Sequence, residues 1–78
     1  GSQNPDISGK NFYLTGFRDS EIADYITRNG GIMQSGCTKS TDTLIIKDHA
    51  VTNKKVETAQ KYGIKILSQH EFKSRFFS

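Results

Sequence analysis

Any chemistry in this chain has to come from a small set of residues. Two histidines (His49, His70), a single cysteine (Cys37), the step Thr15-Gly16 and the pair Lys54-Lys55 are the groups whose types could act on or hold a ligand. A metal needs three or four donors converging on one point. His49 and His70 fall in a loop and at the start of the last predicted helix, with no cysteine or carboxylate at ligand spacing, and Cys37 offers one thiolate. No metal site is expected. Cys37 also lacks a nearby histidine to draw off its proton, so it reads as a small residue packed against a sheet rather than a nucleophile. Neither Gly-x-x-x-x-Gly-Lys-Ser/Thr nor Gly-x-Gly-x-x-Gly occurs, which removes the two commonest phosphate-cradling loops of nucleotide cofactors. The expectation is a non-catalytic chain with no cofactor and no small-molecule substrate.

Thr15-Gly16 and Lys55 point to a different task, the holding of an anion. In an open parallel sheet, ligands gather beyond the carboxyl ends of the strands, where helix N-termini aim free N–H groups. Thr15 would place a hydroxyl there, and Gly16 would expose a backbone N–H with no side chain in the way. A helix beginning near Asn53-Lys54-Lys55 would bring an ammonium to the same edge. A cation in a first helical turn opposes the helix dipole unless an anion lies between. The plainer readings stand beside this one: Thr-Gly as an ordinary turn, and the lysines as solvated surface.

The elements that would position these groups follow from hydrophobic spacing. Residues 11–15 (Asn-Phe-Tyr-Leu-Thr) form a strand-like run ending at Gly16. Asp19 or Ser20 offers an N-cap, Ile22, Tyr25 and Ile26 recur at helical spacing, and Asn29-Gly30-Gly31 ends that helix. Ile32-Met33-Gln34 is a brief strand, and residues 35–42 are a polar loop. Leu44-Ile45-Ile46 is a continuous branched run, as in a strand covered on both faces. A helix from Asn53 to Tyr62 turns Val56 and Ala59 inward and stops at Gly63. Ile64, Ile66 and Leu67 make the last strand, and Ser68 caps a final helix with Phe72 and Phe76 on one face. The order β-α-β-β-α-β-α predicts an α/β three-layer sandwich, a largely parallel sheet with helices on both sides.

Size and charge bound the rest. Seventy-eight residues make one domain. One cysteine excludes an internal disulfide, and no apolar run approaches the roughly 20 residues of a membrane span. Gly1-Ser2 reads as a scar of tag removal, residues 1–8 as a flexible linker, and residues 9–78 as a single domain excised from a larger protein. Basic and acidic residues number five and six over residues 1–50, but six and two over 51–78, so the last third favours an anionic partner.

Four segments in register carry a family resemblance. Ser8-Gly9-Lys10-Asn11-Phe12-Tyr13-Leu14-Thr15-Gly16-Phe17 resembles the opening strand of a BRCT domain, and Asn29-Gly30-Gly31 its glycine pair after the first helix. Residues 38–46 (Thr-Lys-Ser-Thr-Asp-Thr-Leu-Ile-Ile) resemble its Ser-Lys-Lys-Thr loop and following strand. Residues 55–68 are similar to its Lys-x-x-x-Ala-x-x-x-Gly-Ile-x-Ile segment, with Glu71-Phe72 after it. The resemblance covers residues 8–77. It is closest to the subgroup in NAD-dependent DNA ligases and the replication factor C large subunit, phage and viral relatives included, where Phe replaces a common tryptophan at the place of Phe72.

What the resemblance implies is concrete. The fold would be a four-stranded parallel sheet of order 2-1-3-4 flanked by three helices. The phosphate pocket would consist of Thr15, Gly16 and Lys55, with Arg18, Lys39, Lys54 and Lys61 as flanking contacts. One departure stands out. The segment after Thr15-Gly16 is shorter than in the subgroup, and Asp19 falls where an arginine helps hold a 5′-phosphate, with Arg18 adjacent. The implied function is a recognition module of a DNA replication or repair protein that binds 5′-phosphorylated DNA ends or DNA backbone. The competing expectation is a phosphopeptide or protein–protein module. A third is packing within the parent protein through Tyr13, Phe17, Phe76 and Phe77. Each places the domain inside the cell, in the nucleus of a eukaryote or otherwise in the cytoplasm.

Overall fold

The structure is a computed structural model that describes residues 4–77. Its elements are β1 (Asn11–Thr15), α1 (Ser20–Arg28), β2 (Ile32–Met33), β3 (Thr43–Ile46), α2 (Lys54–Tyr62), β4 (Lys65–Ser68) and α3 (Gln69–Phe76). Each helix starts on a side-chain cap. Asp19 accepts from the Glu21 and Ile22 amides, Asn53 from those of Lys55 and Val56, and Ser68 forms a reciprocal capping box with Glu71. The four strands are all parallel, in the order β2-β1-β3-β4.

β3 shows why the sheet needs helices on both faces. All four of its residues are buried, and successive side chains leave on opposite sides. Ile45 joins Phe12, Ile22, Ile26 and Phe72 in one cluster, so α1 and α3 cover that face. Leu44 and Ile46 join Val56 and Ala59 in a second cluster under α2. Tyr13 packs on the α2 side, whereas its neighbours Phe12 and Leu14 pack on the α1/α3 side. The expected sandwich and strand order are therefore both present.

The lead-in differs from expectation. Gly1-Ser2 lies outside the described residues, but residues 4–8 are not a flexible linker. Ile7 is 0% exposed and sits in the cluster with Ile22 and Ile26. The Asn4 amide donates to Asn29 Oδ1 at 3.0 Å, and the Ile7 and Ser8 amides return to the Asn4 carbonyl. The domain edge moves back to at least Asn4. A lone apolar residue in a polar run has no periodicity to reveal it. Gly31 makes the docking possible: a Cβ there would lie 2.6 Å from Ile26 Cγ2 and 2.9 Å from Ile7 Cγ2.

Candidate phosphate-binding site

Thr15 ends β1 and Asn53 precedes α2, and their side chains meet at the carboxyl edge of the sheet. Asn53 Nδ2 donates to Thr15 Oγ1 at 3.3 Å, while Asn53 Oδ1 accepts from the Lys55 and Val56 amides at 2.9 and 3.0 Å. One asparagine thus caps α2 and ties it to β1. The Thr15 hydroxyl, on a residue only 7% exposed, acts as an acceptor in this bond. Its proton has no acceptor among the described residues, so it is free to be donated to an anion.

Gly16 follows with φ +84, a left-handed conformation that side chains other than glycine rarely adopt. A Cβ built there would also meet Val51 Cγ1 at 3.4 Å. The backbone turns sharply and stays exposed. Lys55 stands on the same side. Its Nζ lies 5.8 Å from the centre of the Tyr13 ring, and Tyr13 is two residues before Thr15 on one face of β1. Thr15, Gly16 and Lys55 are thus set around the N-terminus of α2, whose dipole favours an anion.

The flanking residues do not all join them. Lys54, the first residue of α2, is exposed at the same helix end. Arg18 is exposed beside a shallow concavity of about 330 Å³ that Phe17, Met33 and Gln34 also line. Lys39 and Lys61 gather elsewhere, 5.9 and 5.8 Å from the ring centre of Tyr62, the last residue of α2. At 1.5 Å per residue, Tyr62 lies about 10 Å along the helix from Lys55.

Asp19, where the resemblance implies an arginine in the subgroup, lies on the other face of the sheet. Its carboxylate caps α1, accepts from Gln69 Nε2 at 2.6 Å, and pairs with Lys73 Nζ at 3.0 Å, so it belongs to the α1/α3 face. Burial pushes its pKa up, but the Gln69 and Lys73 contacts and the Ile22 amide outweigh that and hold it below the usual 3.8. The Lys73 ammonium offsets the charge of this carboxylate on its own face.

Two participants were not singled out from sequence: Asn53 as the bridge to Thr15, and Val51 against Gly16. Asn53 carried a signal, an asparagine immediately before a helix, but its second bond depends on β1 being adjacent. His49 likewise gains a partner that spacing could not show, Glu71 at 2.5 Å. The Ser68 amide and then His49 hold the Glu71 carboxyl below its ordinary pKa. Among the described residues, no group of three or more His, Cys, Asp or Glu could hold a metal. No helix among the described residues is long and apolar enough to cross a membrane.

Comparison with known proteins bears on this geometry. The family described as BRCA1 C Terminus (BRCT) domain matches residues 2–76. A DNA ligase of Prochlorococcus marinus (strain NATL1A) is 37% identical over 71 residues, which is 86% of this chain and 10% of the ligase. A DNA ligase of Acanthamoeba polyphaga mimivirus is 29% identical over 63 residues, 81% of this chain and 10% of its own length. The chain thus spans about a tenth of these relatives. A crystal structure of S. pombe Rad4 BRCT3,4 shares the fold with a TM-score of 0.66 at 17% identity, covering 82% of this chain and 38% of that one.

Proposed function

The chain belongs to the BRCT family, a family of non-catalytic modules, and from that premise we propose that it binds a phosphate monoester at Thr15, Gly16 and Lys55. BRCT domains as a class bind DNA or phosphoproteins. The ligand we assign is the 5′-phosphorylated end of DNA, with the module serving a replication or repair protein of which it is an accessory domain. Such a role places it inside the cell. The similarity to DNA ligases over most of the chain supports the choice of DNA.

The observation that carries the reading is the Asn53 bridge. It holds a threonine hydroxyl, a helix N-terminus and the backbone of Lys55 in one fixed arrangement before any ligand arrives. A phosphate oxygen placed there would accept from the Thr15 hydroxyl and the Gly16 N–H, while the Lys55 ammonium swings from the Tyr13 ring to neutralise charge. The preorganisation lowers the ordering cost of binding.

The test is a titration of matched duplexes that end in 5′-phosphate or 5′-hydroxyl. The 5′-phosphate end should bind more tightly, and Lys55→Ala should remove that advantage. Equal affinity for both ends, or no loss in Lys55→Ala, would overturn the assignment. Selective binding of a phosphopeptide without DNA binding would keep the pocket and replace its ligand.

A further inference from the structure

Ion pairs are distributed unevenly over this molecule. Among the described residues they join Lys73 to Asp19 and Glu21 and Arg75 to Asp6, and a hydrogen bond joins His49 to Glu71, so each of these contacts has one partner on α3. None involves α2. Lys54, Lys55 and Lys61 of α2, with Lys39 from the loop before β3, face only Glu57 as an acidic residue of that helix. Three of these four side chains turn to aromatic rings instead: Lys55 to Tyr13 at one end of α2, Lys39 and Lys61 to Tyr62 at the other. Tyr62 is 42% exposed, and the Lys39 and Lys61 ammonium groups lie 5.9 and 5.8 Å from its ring centre.

We propose that Tyr62 with Lys39 and Lys61 forms a second nucleic-acid subsite, a stacking platform for one base of a single DNA strand that runs along α2 from its 5′-phosphate. The inference rests on the phosphate reading above and extends it from an end group to a length of strand. An aromatic face flanked by cations is the arrangement that binds single strands, because every unpaired base offers a π-face and every linkage a phosphate. The distance fits. About 10 Å along α2 separates Lys55 from Tyr62, which is about three nucleotides at the 3.4 Å rise of a stacked strand. Only an unpaired base can reach the ring face, so the track along α2 takes the single-stranded 5′ overhang of a phosphorylated duplex end, the same end whose phosphate the pocket holds.

The experiment measures fluorescence anisotropy of 5′-phosphorylated oligodeoxythymidylates from about two to about eight nucleotides long, on the domain and its variants. Affinity should climb with length until the strand reaches Tyr62, then level off. Tyr62→Ala should lower affinity for the longer strands about five-fold or more while leaving the shortest unchanged. Tyr62→Phe should behave as the parent, because the ring and its cations remain. Lys39→Ala with Lys61→Ala should reduce the slope of log affinity against log salt by about 1.4, at roughly 0.7 per phosphate of a single strand. Those two lysines are exposed, so this variant reads the subsite even if Tyr62→Ala unfolds on melting.

Length-independent binding, or long strands that bind Tyr62→Ala and the double-lysine variant as they bind the parent, would overturn the subsite. If Lys55→Ala still weakens binding in that case, the terminal pocket survives and only the α2 track fails. A loss of affinity in the Tyr62 variants for phosphopeptides but not for DNA would also overturn it.

Discussion

Asp19 makes a sharp test of how α1 and α3 are held together. The carboxylate does three things at once: it caps α1 through the Glu21 and Ile22 amides, accepts from Gln69, and pairs with Lys73 of α3. Asp19→Asn keeps a capping oxygen, since asparagine caps as well as aspartate. Its amide N–H groups, however, would face the donors of Gln69 and Lys73. A hydrogen bond to a charged group contributes about 1.5–3 kcal/mol, and Lys73 is a third exposed, so solvent trims its share to about 1 kcal/mol or less. The expected loss for Asp19→Asn is about 2 kcal/mol. Asp19→Ala adds the cap at about 1 kcal/mol, for about 3 kcal/mol in all. A domain of this length has roughly 4–12 kcal/mol in total, so the alanine variant should melt at least about 10 °C lower.

The assay is urea denaturation followed by circular dichroism, repeated down a pH series. Asp19 has a folded-state pKa below its usual 3.8. Its contribution is therefore complete above that value and is lost as pH falls through the lower, folded-state pKa. The gap between the parent and Asp19→Asn should close below about pH 4. A loss under about 0.5 kcal/mol for Asp19→Ala at neutral pH, or a gap that stays constant into acid, would refute the reasoning. So would a marked gain in DNA affinity for Asp19→Asn, because the carboxylate belongs to the α1/α3 face, away from Thr15.

Three further outcomes follow from particular contacts. Ile7→Ala should destabilise by about 2–4 kcal/mol in the same assay, as a fully buried side chain does, whereas a linker residue would cost nothing measurable. Gly31→Ala should cost about 1–3 kcal/mol through overpacking against Ile26 and Ile7, and Gly31→Ala in an Ile7→Ala background should cost less because one of the clashing groups is gone. Asn53→Ala should lose about 1 kcal/mol of helix capping and, by releasing Thr15 from α2, weaken binding of 5′-phosphorylated duplex in the titration described above.

Much of this is legible in the sequence alone. Strand runs, cap residues and helix stops are local, so β1, α1, β3, α2 and α3 could be read within a residue or two from Phe12-Tyr13-Leu14, Asp19, Leu44-Ile45-Ile46, Asn53 and Ser68. The family resemblance added the strand order, which spacing alone left among several topologies. Thr15, Gly16 and Lys55 came from two routes, sheet-edge chemistry and the resemblance, and the fold sets them at one edge. Ile7 escaped because burial of a single residue in a polar run leaves no periodic trace. Charge in a sequence has no direction, so the sequence alone does not separate Lys39 and Lys61 from the pocket.

Residue order thus settles what is local in this protein: where each helix begins and ends, which strands can be buried on both faces, and which few groups could hold an anion. The folded chain settles which of those groups meet. Asn53 reaches Thr15, Asp19 turns toward Gln69 and Lys73, and Lys39 reaches Tyr62, all across separations that no local rule spans. The physical reason is that side-chain partners at long range are chosen by the packing of α1 and α3 on one face of the sheet and α2 on the other. That packing puts Lys73 and Arg75 of α3 among carboxylates, while among the described residues no lysine of α2 forms an ion pair.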